Sequence, residues 1–481
     1  MKLFTVIKKY NTTFWAANTI ELFERWAWYG FYMAFALYLV NSKETGALGL
    51  TQAQKGIIMG TGSMLLYFLP VITGAIADKV GYKKILFLSY TIYISGYYMI
   101  KSFDSFGLMF FAFIWTCVGG AFFKPIISAM IARTTTKETS SIGFGIFYMM
   151  INIGGFIGPF IAGVLMQKSW DYVFYMSMAA ISINYIITAI FFKEPVLTEK
   201  DASVGKSVIQ AFINIGTTLK NWKYVLFLII MILFWTAFNQ LYYSFPVFIE
   251  QWIDTSPLYN GINNFWPWLA AGIGTSDGTI TAVTLSSMDA FFIIIFQLIV
   301  SAFVMRFRPL AAMMGGILVL AGGLSLMFSN QNSWLILLGI LIFALGEMAS
   351  SPKFTEYIGQ IAPEDKKALY MGTSFLPIAA GHQLAGWLSG GVYEKVADKI
   401  YLLQKETAVR GISLPQISEE VTKNAFFEMA AGKMNMSTTE LTDYLWSQYN
   451  PSDIWFTYSG LAVTAMIFLW LYDKFVLKSR K

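Results

Sequence analysis

Twelve apolar runs occupy most of the 481-residue chain, near 13–41, 50–77, 84–102, 107–132, 142–166, 172–192, 224–251, 279–305, 309–328, 333–361, 368–391 and 453–473. Each is close to or above the roughly 20 residues that a helix needs to cross a bilayer at about 1.5 Å per residue. A spanning segment must satisfy its backbone polar groups internally, and runs of this length do so as helices. With 56% hydrophobic and only 13% charged residues, a soluble core of this size is excluded. The sequence predicts an all-α membrane protein.

Lys and Arg sort the connecting segments by side. Lys2, Lys8, Lys9, Lys79, Lys83, Lys84, Arg133, Lys137, the cluster from Lys193 to Lys223, Arg306, Arg308, Lys366, Lys367 and the Lys-rich tail fall on one side. The short opposite loops hold few, such as Lys43 and Lys168. The positive-inside rule then predicts a multi-pass protein of the inner (cytoplasmic) membrane with both termini cytoplasmic. The net charge of +6 follows from this topology and asks for no nucleic-acid partner. Cys117 is the only cysteine and His382 the only histidine. The chain therefore offers no disulfide, metal site, cofactor site or hydrolytic constellation, and does not read as an enzyme.

The polar interruption at 193–223 separates six spans from six. The expected organisation is an N-terminal bundle at 1–192, a cytoplasmic linker at 193–223 containing a short amphipathic helix, and a C-terminal bundle at 224–481. Two such halves suggest repeats that rock about a midplane site. Residues 394–452 form an excursion on the outer side. There Ser437-Thr438-Thr439-Glu440 reads as a capping box opening a short helix, and a second helix is expected at 416–431. The excursion reads as a packed cap, with docking of a partner as the other expectation.

Charges inside the spans are the informative residues, because a charge at membrane depth faces a protein interior or a watery cavity. Span 1 places Glu21, Glu24, Arg25, Trp28, Tyr29 and Tyr32 on one helical stripe. Either Glu21 and Arg25 only lock helix packing, or the stripe lines a substrate path. Lys124 in span 4 and Glu347 in span 10 both lie about 20–25 Å from the outer end. They are expected to meet across the two halves, as a structural pair or as a gate. Lys353 and Glu356 are expected to pair with each other. His382 reads as a neutral hydrogen-bonding imidazole, with a proton relay as the alternative. Tyr67 and Trp235 are candidate aromatic walls of a pocket. Asp289 in span 8 is expected to share a pocket with Asn239 of span 7 and to carry a proton, unless it is paired with Lys353.

Several motifs carry a family resemblance. Gly74-Ala75-Ile76-Ala77-Asp78-Lys79-Val80-Gly81 with Lys83 and Lys84 resembles the loop motif of the major facilitator superfamily. Glu21-x-x-Glu24-Arg25 with Tyr29-Gly30 resembles the ExxER signature of its proton-dependent oligopeptide transporter (POT) family. Phe123-Lys124-Pro125 with Ser128, Phe147 to Gly154, Phe234-Trp235 with Gln240, and Gly346-Glu347 through Glu356-Tyr357 agree with that family in order. The resemblance implies a twelve-helix major facilitator fold, two six-helix bundles related by pseudo-two-fold symmetry. It also implies import of di- and tripeptides with protons. Arg25 and Lys124 then face the peptide carboxylate, Glu347 the amino group and Asn152 the backbone, while Tyr29, Tyr67 and Trp235 line the pocket. Glu21, Glu24 and Asp289 become the proton-coupling candidates, and Lys124 with Glu347 the gate.

The chain also departs from the family pattern. Tyr32 and Asn239 stand where a second arginine and a proton-linked acid are usual, Asp289 where Asn is usual, and Ser374 where a pocket Trp is usual. Lys353 is an added charge, and the extra helix pair of many bacterial members is absent. The alternatives are a divergent member moving another small zwitterion or organic anion, and a membrane sensor or assembly protein on the same fold.

Overall fold

The computed structural model describes residues 7–136, 138–194 and 204–477. Lys2, Lys137, the 195–203 part of the linker and the tail from 478 lie outside the described residues.

The described residues form twelve spans: Thr12–Val40, Gln52–Phe68 with Pro70–Val80, Tyr82–Ser102, Phe106–Arg133, Ser140–Leu165 and Trp170–Phe191, then Trp222–Phe238 extended by Gln240–Tyr243 and Phe245–Trp252, Ala282–Ser286 with Met288–Val304, Pro309–Phe328, Ser333–Ile361, Lys367–Thr373 with Phe375–Trp387, and Ile454–Leu471. Span 1 begins where the Asn11 side chain accepts a hydrogen bond from the Phe14 amide at 2.8 Å, satisfying a donor that the first turn leaves open. A capping box on Thr51 and Gln54 opens span 2. That span bends by 46° at its break before Pro70, where proline lacks the N–H and crowds the preceding turn.

Spans 1, 3, 4, 5 and 6 pack on one another, span 2 joining them through span 4, and spans 7 to 12 form a second set built on spans 9, 10 and 12. The sets meet along spans 2 and 11 and along spans 5 and 8. At the first contact, a Cβ on Gly56 would stand 2.1 Å from the Gly386 carbonyl oxygen, and one on Gly386 would stand 2.4 Å from that of Gly56. Only hydrogen side chains allow this approach.

Basic connections gather at the opposite end from this crossing. Glu194 accepts from the amides of Tyr82 at 2.6 Å and Lys83 at 2.8 Å. Lys9 reaches Glu138 at 3.4 Å, Arg308 is clasped by Asp473, and Lys223 donates to the Val476 carbonyl at 2.7 Å. The linker helix, Val204–Thr218, packs against Pro70–Val80 of one set and Lys367–Thr373 of the other. Its Ile209, Phe212 and Ile213 remain exposed, the pattern of a helix with an apolar face toward lipid.

The outer excursion holds three helices, Lys399–Val409, Lys423–Lys433 and Thr438–Tyr449. The capping box on Ser437 and Glu440 forms as expected. The helix expected at 416–431 is corrected to Lys423–Lys433. Ser418 accepts from the Glu420 and Val421 amides and donates its own amide to the Val421 carbonyl, a turn that competes with helix. Lys399–Val409 was not expected; Asp398 caps it by accepting from the Tyr401 amide at 2.9 Å.

Candidate functional site

Two cavities lie between the helix sets, and Tyr29 lines both. A basic cavity of about 370 Å³ is lined by Glu21, Arg25, Tyr29, Lys124, Phe147 and Phe375, among others. An acidic cavity of about 210 Å³ is lined by Tyr29, Tyr67, Tyr148, Trp235, Glu347 and His382, among others.

In the basic cavity, the ExxER spacing folds its three charges onto one another. Arg25 Nε lies 3.1 Å from Glu21 Oε1, and its Nη2 contacts Glu24 Oε2. Tyr93 donates its hydroxyl to the other Glu24 oxygen. Glu24 is fully buried and outside both linings. Lys124 makes no ion pair among the described residues; its Nζ stands 3.8 Å from the centre of the Tyr67 ring. Arg25 is thus held by two carboxylates, while Lys124 has only the electron-rich face of the Tyr67 ring beside it.

The acidic cavity is built differently. Glu347 lies beside Asp289 of span 8, and the two carboxyl groups interact. The low dielectric disfavours a double negative charge on two such neighbours. Asp289 Oδ1, Glu347 Oε2, Ser351 Oγ and Trp235 Nε1 are buried without hydrogen-bond partners. Unpaired buried polar atoms are costly, and where they line a cavity they mark groups a ligand can satisfy.

Several expectations change at this level. Lys124 and Glu347 are not in contact: Tyr67 takes the lysine and Asp289 takes the glutamate. Asp289 is not paired with Lys353, which bonds Glu356 at 2.7 Å. Nor does Asp289 line the pocket with Asn239; it lies behind Glu347, whereas Asn239 is on the wall and donates to the Trp235 carbonyl at 2.8 Å. Asn152 lines neither cavity and donates to the Tyr148 carbonyl at 2.8 Å. Tyr148, Tyr242 and Ser351 line the acidic cavity; the first and last lie in the motifs read from sequence, but none of the three was named as a site residue. Ser351 follows Glu347 by four residues and Tyr148 precedes Asn152 by four, so helical spacing from the chosen polar residues was the available signal.

Val71 and Gly372 line the basic cavity and also a third cavity of about 520 Å³ at the basic end, whose wall includes the linker helix. The site and that end thus share two wall residues. The opposite end is shut. Gln52 and Gln251, from different helix sets, each donate to Asp398 Oδ2 at 2.8 Å. Lys55 donates to the Tyr243 carbonyl at 2.8 Å, and Lys423 of the cap donates to the Val40 and Leu50 carbonyls at 2.8 Å each.

Two six-span sets around central polar cavities, clasped together at one end, are the architecture of a membrane transporter. Residues 19–261 match the family model of the Major Facilitator Superfamily, and the chain belongs to that superfamily. It is 24% identical over 445 residues to the dipeptide and tripeptide permease A of Serratia proteamaculans, covering 79% of this chain and 83% of the relative. A POT family transporter solved with a thioalcohol-conjugated peptide superposes with a TM-score of 0.70 at 15% identity, over 98% of this chain and 100% of that one. Another, solved with 5-aminolevulinic acid, gives 0.67 at 16% identity over 98% and 99%. At these identities the structural likeness establishes the fold.

Proposed function

We propose that the protein imports di- and tripeptides by proton symport through alternating access. The observation that carries this reading is the separation of charge: an available lysine beside Arg25 in one cavity, and a carboxyl pair at Glu347 in the next, with Tyr29 between them. A zwitterion with its ends held apart fits that arrangement, and Arg is suited to bidentate capture of a carboxylate. The relative named as a dipeptide and tripeptide permease supports the substrate class.

Arg25, Lys124, Glu347, Tyr29, Tyr67, Asn152 and Trp235 are the proposed substrate-binding residues, Asn152 after its amide turns from the Tyr148 carbonyl. A substrate carboxylate that draws Arg25 away leaves Glu21 and Glu24 uncompensated, and a proton restores the balance. The proton shared by Asp289 and Glu347 is the second coupling site. Lys124 and Glu347 remain the proposed gate, closing on each other when Tyr67 withdraws. The units proposed to rock are 1–192 and 224–481, joined by the 193–223 linker, in the inner membrane with both termini cytoplasmic. The 394–452 cap is the surface proposed for any partner.

A second reading, another small zwitterion such as an amino-acid-like acid, is favoured by the solved 5-aminolevulinic acid complex of a fold relative. Uptake into proteoliposomes under an inward proton gradient tests both. Dipeptides should accumulate and compete with one another, and Arg25→Ala and Glu347→Gln should each abolish uptake, since losing one desolvated partner costs on the order of 2–5 kcal/mol. Uptake that ignores dipeptides but is blocked by 5-aminolevulinic acid supports the second reading; near-normal transport by either variant rejects the site.

A further inference from the structure

His382 has one polar protein neighbour on its ring among the described residues, Tyr243. The Tyr243 hydroxyl lies 3.0 Å from the Met59 carbonyl, which can only accept, and 3.1 Å from His382 Nδ1. When Tyr243 donates to that carbonyl it accepts from Nδ1, and in that arrangement the imidazole carries its proton on Nδ1 and Nε2 is an acceptor. Tyr67 stacks on the ring at 4.8 Å between centroids and 17° between planes, which fixes its orientation. No protein group bonds Nε2 among the described residues, and His382 lines the acidic cavity.

We infer that His382 adopts this tautomer and is a specificity-determining residue, its Nε2 accepting an N–H from the substrate's ammonium beside Glu347. The inference rests on the peptide reading above and adds a residue to it. An ammonium has three N–H donors in a cavity where Glu347 Oε2 lacks a partner and Nε2 is a second acceptor. A carboxylate there would meet a carboxyl pair and a lone pair, so the substrate enters with its amino end in this cavity. The unpartnered Trp235 Nε1–H supplies a donor for the first carbonyl. The class selected is an aminoacyl amide with a free amino terminus, against analogues whose nitrogen carries no hydrogen.

The test measures binding of Ala-Ala and of its N,N,N-trimethyl analogue to the purified full-length protein and to H382F and Y243F. His382→Phe keeps a ring against Tyr67 but removes the acceptor. It should weaken Ala-Ala about tenfold, the effect of one charge-assisted hydrogen bond, and leave the trimethyl analogue unchanged. Tyr243→Phe keeps the imidazole but frees its proton to move to Nε2, and should weaken Ala-Ala several-fold with the same selectivity. Equal losses for both probes, or none for either, overturn the inference and leave the peptide reading intact. Lost proton-driven accumulation in H382F with both affinities unchanged makes the ring a relay and also overturns it. Wild-type protein that binds neither probe overturns the peptide reading and this inference together.

Discussion

Arg25 is buried and Lys124 half-buried, and the two cations are kept in different ways. Arg25 is neutralised by carboxylates four residues and one residue before it, which the helix delivers without help from any other span. Lys124 has only the Tyr67 face and so depends on its cavity. Asp289 shows the reverse dependence: its neighbour, Glu347, is itself an acid, and two carboxyls side by side at low dielectric disfavour a double negative charge. Asp289→Asn replaces that pair by an amide and an acid that still hydrogen-bond, so the fold should survive. Proton-driven accumulation in proteoliposomes should fall to equilibration, while substrate counterflow, which needs no net proton movement, continues. Intact accumulation would move the coupling role to Glu21 and Glu24.

The outer cap shows how polar residues hold short helices together. Glu406 of Lys399–Val409 accepts from Tyr444 Oη at 2.6 Å, Tyr449 Oη at 2.7 Å and Arg410 Nε at 2.6 Å, tying that helix to Thr438–Tyr449. Burial pushes its carboxyl up, but the bonds from Tyr444, Arg410 and Tyr449 outweigh this and hold it below the usual carboxylate range. A depressed folded-state value contributes stability that is present above the ordinary carboxylate pKa and is lost as pH falls through the lower folded value. Glu406→Gln should therefore raise amide exchange across 399–449 at neutral pH by about tenfold, the equivalent of one charge-assisted bond. The variant should also lose the acid-induced loosening that the wild type shows. A cap whose exchange is unchanged in the variant would place its cohesion in the apolar contacts of Leu402, Phe426, Leu441 and Leu445 instead.

At the scale of the whole molecule, the closed outer end rests on a crossing with no side-chain volume and on a few polar clasps. Gly386→Leu should prevent spans 2 and 11 from meeting, because overpacking a tight contact costs about 1–3 kcal/mol and shifts a two-state equilibrium about tenfold or more. In that variant, a cysteine at Gln52 should label faster with a membrane-impermeant maleimide, and uptake should fall on the order of tenfold. Unchanged labelling would show that the Lys55 and Lys423 clasps hold the outer end closed without the glycine crossing. The linker helix lies across the basic end against both sets, so the two ends are shaped by different devices, glycine contact at one and an amphipathic helix at the other.

The number of spans was written in hydropathy, since crossing a bilayer demands a length of apolar helix that no local context can supply or hide. The Glu21, Glu24 and Arg25 cluster was also legible, because helical spacing alone joins residues one and four apart. The capping box on Ser437 and the Lys353–Glu356 pair were local in the same sense. Partners across different spans were not. Lys124 and Glu347 sit at similar depth, but depth says nothing of rotation about each helix axis, and only packing turned one toward Tyr67 and the other toward Asp289. Likewise the sequence could name His382 as the only histidine, while its neighbour Tyr243, 139 positions away in span 7 and bonded to Met59 of the other helix set, was brought to it only by packing. What the chain's own pattern determined is what one helix can do alone; what the tertiary structure decided is which side chains from separate helices share a cavity, because that depends on packing angles that no period in the sequence records.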